Sequence, residues 1–488
     1  MKVQTSRRSF LKSAAVASAA LGFPAASWNR VLGANDTLRV AVVGFKGRGG
    51  DHIKGFSRIP GVKVVALCDV DQNVLEGAVA KLKEQTSENV KGYRDVREVM
   101  EDGDIDIVAT ATPNHWHALI TIWACQANKD VYVEKPVSHN VWEGRKAVEA
   151  ARKYRRMVQT GTQSRSSQGI KEAAAWVKAG NLGKIEIARG LCYKPRASIG
   201  KVDGPQPIPE GIDYNLWCGP APMVPLKRKN LHYDWHWDFE TGCGDLGNQG
   251  IHQMDIARWF LGEMELSPKV VSAGGRLGYV DDGNTPNTQI IWHGYEKAPL
   301  IFEVRGLPAD KAAQTTGWGK GMDKFMGAQI GVLIHCEGGY VLVPNYQIAI
   351  AYDKSGQEIR KFEGSKDHYE NFIAAVRSRQ VEDLNADILE GHLSSALCHT
   401  GNISYRLGKK TAPGEARERL KDQKGLQESY DRMVEHLKKN EVNLDVDQLT
   451  LGVGLAMDPT TERFIGNKDA DKLLTRDYRK PFVVPEKV

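Results

Sequence analysis

The chain has 488 residues, 41% hydrophobic and 26% charged, which is too long for one ordinary domain and excludes global disorder. No apolar run reaches the roughly 18–20 residues of a membrane-spanning helix, and seven cysteines without a C-x-x-C pair exclude a disulfide scaffold or a cysteine-based zinc site. Lys and Arg number 66 against 60 Asp and Glu, but five of the basic residues fall in the first 34, where there is no acid; the remainder is close to neutral and offers nucleic acid no electrostatic footprint.

The N-terminus reads as an address. Ser6-Arg7-Arg8-Ser9-Phe10-Leu11-Lys12 precedes an alanine-rich apolar stretch and then Ala25-Ala26-Ser27. That order is a twin-arginine export signal over 1–34, with cleavage expected between 27 and 35. The route carries folded proteins, so it suits a protein that takes up a cofactor before export. The twin-arginine machinery is therefore an expected partner and the periplasm the expected location.

From 38 the pattern alternates. Buried strands are predicted over 38–44, 62–68, 105–111, 131–133 and 157–160. Helices are predicted to about 58, then over 72–83, 115–127 and 141–154. Such alternation implies a parallel sheet covered on both faces, and 35–160 is expected to be one dinucleotide-binding domain. After 161 the rhythm changes. A helix over 167–179 precedes strands over 184–190, 269–273, 288–292, 300–305, 330–337 and 340–343. These suggest an α/β domain over 161–412 with a large open, mainly antiparallel sheet. The stretch 194–225 is proline-rich and reads as a long loop. Helices are predicted over 368–379 and 387–407, and these are expected to pack back on the first domain. Residues 413–488 form a C-terminal extension that the pattern leaves unassigned.

Gly44-Phe45-Lys46-Gly47-Arg48-Gly49 follows the first strand and opens a helix. Glycine lets the backbone approach a pyrophosphate, and a helix N-terminus stabilises its charge. Lys46 belongs to the same turn, and Arg48 either steadies the pyrophosphate or is simply solvated. The second strand ends in Asp69, 25 residues after Gly44. Its carboxylate can accept from a ribose hydroxyl and would repel a 2′-phosphate, so NAD is expected over NADP. Asp69 can equally cap the following helix.

Glu134-Lys135-Pro136 makes the pattern specific. With the glycine turn, Thr112-Pro113-Asn114 and the run from Gly244 to Asp255, it resembles the Gfo/Idh/MocA oxidoreductases over roughly residues 36–410. The resemblance implies a Rossmann domain followed by an α/β domain with an open sheet. It also implies a nicotinamide cofactor, sugar or polyol substrates, and a homodimer or homotetramer formed through that sheet. It directs Thr112, Asn114, Glu134 and Lys135 to the cofactor and suggests a cis Lys135–Pro136 bond. It puts His117 near the nicotinamide, although a purely structural histidine reads equally well there.

Lys135 sits at the carboxyl end of a parallel strand, where ligands of doubly wound sheets bind. Its ammonium can bond a substrate hydroxyl and stabilise a developing oxyanion. One helix is predicted over 246–261, capped by Asp245 and stopped by Gly262. Asn248, His252 and Asp255 then share a face. His252 is the candidate proton-transfer group, and Asp255 either orients it or belongs to a structural network. The family commonly has an aspartate four residues before that histidine. Asn248 stands there instead, and an amide binds a hydroxyl but is no base. Trp235, His236 and Trp237 are candidates for stacking on a sugar and bonding its hydroxyls. The histidine spacing fits no zinc pattern, and no metal is expected. Three functions stay open: an oxidoreductase acting on a sugar, glycoside or keto-sugar with a retained cofactor, a redox-neutral NAD-dependent glycosidase, and a non-catalytic sugar or cofactor binder.

Overall fold

The computed structural model describes residues 37–87, 89–318 and 321–488; the export signal expected over 1–34 lies outside the described residues. The first sheet is parallel: β1 (Leu38–Val43), β2 (Val62–Cys68), β3 (Lys91–Tyr93), β4 (Ile107–Thr110), β5 (Asp130–Val133) and β6 (Val158–Thr160), in the order β3-β2-β1-β4-β5-β6. Val40, Ala41 and Val42 are fully buried, as a strand covered on both faces requires. Helices α1 (Gly49–Ser57) and α2 (Gln72–Thr86) cover one face, and α3 (Asn114–Gln126) and α4 (Val141–Lys153) the other. Local sequence starts two of them. Asp71 accepts from the N–H of Asn73 and Val74 at α2, and Asn140 from Glu143 N–H at α4. The cap of α2 is therefore Asp71, which leaves Asp69 free of that duty.

The second domain starts with α5 (Gln168–Lys178) and β7 (Ile185–Tyr193). It continues through α6 (Gly244–Asn248), α7 (Gly250–Leu261), β8 (Lys269–Gly275), β9 (Thr288–His293), β10 (Leu300–Arg305), β11 (Ile330–Cys336), β12 (Gly339–Val343), β13 (Ala349–Asp353) and β14 (Glu358–Phe362). Next come α8 (His368–Ser378), α9 (Ile388–Arg406), β15 (Lys409–Thr411), α10 (Pro413–Arg419), α11 (Leu426–Lys439), β16 (Leu449–Leu451) and β17 (Leu455–Asp458). The sheet runs β14-β13-β12-β11-β7-β10-β9-β8-β16-β15, and β17 also pairs β8. Only the β7–β10 pair among these is parallel. The side chains alternate as a strand demands. Ile291, Phe302 and Val332 point to the core with α5, α7 and α9, while Ile290 and Ile301 point the other way.

Three differences from the sequence reading have physical causes. The helix expected over 246–261 breaks at Gln249 into α6 and α7. Glycines at 244, 247 and 250 weaken helical propensity just there. Asp245 caps neither piece; it is 1% exposed and bonded by Arg196 at 2.7 Å. Strand β7 runs three residues past 190, because Leu191, Cys192 and Tyr193 are buried in its ladder. The unassigned tail completes the second sheet. Its helices α10 and α11 lie over Val271, Ile290 and Ile301, so part of the face expected to be open carries the chain's own apolar residues. Beside that cover, the buried Glu303 accepts from Tyr193 Oη at 2.7 Å, Ser429 Oγ at 2.8 Å and Arg432. The end of the chain returns to the first domain, where Phe482 and Val484 join the core beneath α3 and α4.

Candidate active site

The strand ends of the first sheet converge on a cavity of about 350 Å³, within the usual size of a ligand site. The glycine turn forms one wall. Gly44 has φ +73°, and a Cβ there would lie 2.9 Å from Thr112 Cα. A Cβ on Gly49 would lie 2.1 Å from the Gly44 carbonyl oxygen, so Gly49 serves the tight turn rather than the cavity lining. Gly47 by contrast faces open space. Asp69 stands at the end of β2, accepting from Phe45 N–H at 3.2 Å and Asp71 N–H at 3.1 Å. Burial raises its pKa, against those two bonds.

The next wall comes from the ends of β4 and β5. Asn114 is 3% exposed, and its Oδ1 has no partner. His117 braces two turns: Nδ1 lies 2.6 Å from the Pro136 carbonyl and Nε2 lies 2.7 Å from that of Thr112. It lines the cavity as well, so the structural reading and the site reading meet in one residue. Arg48 Nε donates to Glu134 Oε1 at 2.8 Å. Burial would push the Glu134 carboxyl up, but Arg48, His52 and Lys135 pull it down to about 2. The Lys135–Pro136 bond is cis.

Lys135 Nζ reaches across the domains and donates to the Asn248 backbone carbonyl at 2.8 Å, at the break between α6 and α7. Burial lowers its pKa. Asn248 lines the cavity too, so it meets Lys135 first through its backbone. His252 lies one turn on, 7% exposed, its ring 5.0 Å from Tyr346 and its Nδ1 without a partner. It is not part of the cavity wall. Burial, with Lys135 next, lowers its pKa to about 3, so the ring is neutral near pH 7. Asp255 does not orient His252. It accepts from Arg165 at 2.7 and 2.8 Å and from Ser394 at 2.7 Å, a buried structural network.

Trp235 and His236 line the cavity, their rings stacked at 3.6 Å. Trp237 does not; it lies under the Arg196 guanidinium at 4.8 Å. Sequence reasoning missed several lining residues. Lys194, at the end of β7, donates to Gln249 Oε1 at 2.7 Å. Leu216 and Trp217 come from the proline-rich segment, which is strapped to the first domain rather than free. Asp213 N–H donates to the Val70 carbonyl at 3.2 Å, and Trp116 Nε1 to the Leu216 carbonyl at 3.1 Å. A Lys-Pro pair right after a buried strand, at 135–136 and again at 194–195, is the signal that could have found Lys194.

The residues present fit a dinucleotide. The turn is closed to any side chain at Gly44 and Gly49, Asp69 lines the cavity at a strand end with two backbone N–H groups holding its carboxylate, and Asn114 offers an unpaired buried oxygen. Fold and site together define a Rossmann domain with a dinucleotide-shaped cavity, joined to an α/β domain, the architecture of an NAD-binding oxidoreductase family. Residues 38–162 match the family described as an oxidoreductase family with an NAD-binding Rossmann fold, 176–297 match its C-terminal alpha/beta domain, and 4–24 match the twin-arginine translocation signal. The chain belongs to the Gfo/Idh/MocA family.

Inositol 2-dehydrogenase of Salmonella typhimurium is 28% identical over 182 residues, which are 37% of this chain and 53% of that protein. The match thus spans about half the length of that relative. A glycosyl hydrolase family 109 protein of Shewanella putrefaciens is 33% identical over 120 residues, 24% of this chain and 26% of that one. A crystal structure of the WlbA dehydrogenase of Chromobacterium violaceum with NADH and UDP-GlcNAcA shares the fold. Its TM-score is 0.56 at 18% identity, over 76% of this chain and 94% of that one.

Proposed function

We propose that this protein works in the periplasm, retains its NAD, and oxidises a CH–OH group of a sugar or glycoside or reduces the C=O of a keto-sugar. The observation that carries the reading is Lys135: a lysine at the carboxyl end of β5, in one cavity with the glycine turn and Asp69. Bound NAD supplies a hydride acceptor and donor. Phe45, Gly47 and Asp69 would hold its phosphate and ribose end, and Asn114 and Glu134 line the wall nearer Lys135.

Lys135 Nζ is the atom that holds and moves the hydroxyl proton. Its lowered pKa makes the neutral amine accessible, and an amine can accept what an amide cannot. His252 is neutral and lies outside the cavity wall, so it is not an imidazolium acid on the substrate and acts only through its neighbours. Asn248 binds a neighbouring hydroxyl, and Trp235 with His236 offers a flat apolar surface to the sugar. The strap at Leu216 and Trp217 excludes water and slows exchange of the nucleotide.

A second reading is glycoside cleavage without net redox change. The similarity to the family 109 hydrolase favours it, over a quarter of the chain. A panel of glycosides, polyols and keto-sugars, with reduced nicotinamide and product mass both recorded, separates the two. Net oxidation or reduction supports the first reading, net hydrolysis the second, and silence across the panel contradicts both.

A further inference from the structure

The substrate end of the cavity carries more positive charge than the protein neutralises. Lys135 and Lys194 both line it, and their bonded partners are the uncharged oxygens of Asn248 and Gln249, at 2.8 and 2.7 Å. Among the described residues, no carboxylate lies within 4.0 Å of either ammonium. The nearby acids are committed elsewhere: Glu134 to Arg48 at 2.8 Å and Asp245 to Arg196 at 2.7 Å. Like charges facing one low-dielectric cavity repel, and Lys194 contributes to the lowered pKa of Lys135. An oxidised nicotinamide is cationic and would add to the excess.

We propose that the substrate is a sugar bearing a carboxylate, which Lys194 anchors while Lys135 faces the reacting hydroxyl. This rests on the reading of the cavity as a sugar oxidoreductase site. Lys194 is built for the task. It ends a buried strand, and Gln249 fixes its ammonium while Gln249 is itself held by Gln253, at 3.4 Å, and Tyr346. A carboxylate fits better than a phosphate. The planar forks nearest this end belong to Arg48 and Arg196, and both are already bonded to acids; Arg94 also lines the cavity, but it is bonded to the Val70 and Gly211 carbonyls, beyond the end of β2. One ammonium is left for one negative charge.

The test is calorimetric titration of the nucleotide-loaded protein with matched pairs: glucuronate and glucose, galacturonate and galactose, mannuronate and mannose. Glucose 6-phosphate is the phosphate arm. At low salt, at least one acid should bind about tenfold or more tighter than its neutral partner, the size of one charge-assisted hydrogen bond. Lys194→Met should bring that ratio close to one, and Lys194→Arg should keep most of it. Bound nucleotide is assayed in every variant. Acid-to-neutral ratios near one in the wild type, tightest binding of the phosphate, or a ratio unchanged in Lys194→Met would each overturn the proposal. So would loss of nucleotide from Lys194→Met, which would assign the lysine to the cofactor. Binding of neutral sugars alone would overturn this inference and leave the sugar reading standing, whereas no binding of any sugar would overturn both.

Discussion

In the proposed reaction Lys135 is the residue on which the chemistry turns, and its neighbours make its behaviour testable. Lys135→Ala should lower kcat on the order of a hundredfold and leave the nucleotide content unchanged; steady-state kinetics beside a nucleotide assay checks both halves. Asn248→Asp should move the pH profile. A carboxylate beside the ammonium raises the lysine pKa, and oxidation needs the neutral amine, so the rising limb of the rate should shift to higher pH. A profile that stays put would separate Asn248 from the proton. Asp255 is a stability residue. Asp255→Ala leaves Arg165 buried without its main partner, and losing one member of a buried pair costs about 3–5 kcal/mol; urea unfolding reads that directly. The placement of Lys135 and the glycine turn at one cavity was legible in the sequence because both follow a strand end. The Asn248 carbonyl and the Arg165–Asp255 pair were not, since they depend on elements far apart in the chain.

At the scale of elements, five of the six strands up to 160 could be read from apolar runs, because a parallel strand is buried on both faces and looks continuous; β3 was missed, since it is short and mostly exposed at the sheet edge. The proline-rich segment after β7 read correctly as a loop, but where it docks could not be read. It is held by backbone bonds to Val70 and by the Trp116 indole, and neither leaves a periodic trace. Its tip covers the cavity through Leu216 and Trp217. Trp217→Ala should cost about 3 kcal/mol or more, as a buried ring does, and the folded protein should lose nucleotide on dialysis much faster than the wild type, as an absorbance or mass assay of the dialysed protein would show. The C-terminal helices are the other hidden element. Tyr430 is 1% exposed beneath the outer sheet face; Tyr430→Ala should cost about 3 kcal/mol, the low end for removing a buried aromatic ring. With α10 and α11 in place, any pairing of subunits through that face is left the region from β12 to β14.

The whole molecule carries an acid sensitivity. All 13 histidines are held below the usual histidine range, with burial the largest cause in each. Several, including His115, His293 and His399, fall to about 3. A group lowered in the folded state binds its proton more tightly when unfolded. The stability it contributes is complete above about 6.5 and is lost as pH falls toward the folded values. Glu134, lowered to about 2, acts in the same direction at lower pH. The melting temperature should be flat above pH 7 and fall steadily below 6.5, and a curve flat down to pH 5 would contradict the burial of these rings. The central claim is that this fold oxidises or reduces a sugar on a retained nucleotide with Lys135 moving the proton. The most direct measurement is the near-ultraviolet absorbance of the nucleotide bound to the purified protein, with none added, as sugars are supplied to wild type and Lys135→Ala in parallel. The account expects the bound nucleotide to change redox state in the wild type with at least one sugar and to stay unchanged in Lys135→Ala over the same time. Equal change in both proteins, or a nucleotide that no sugar alters in either, would contradict it.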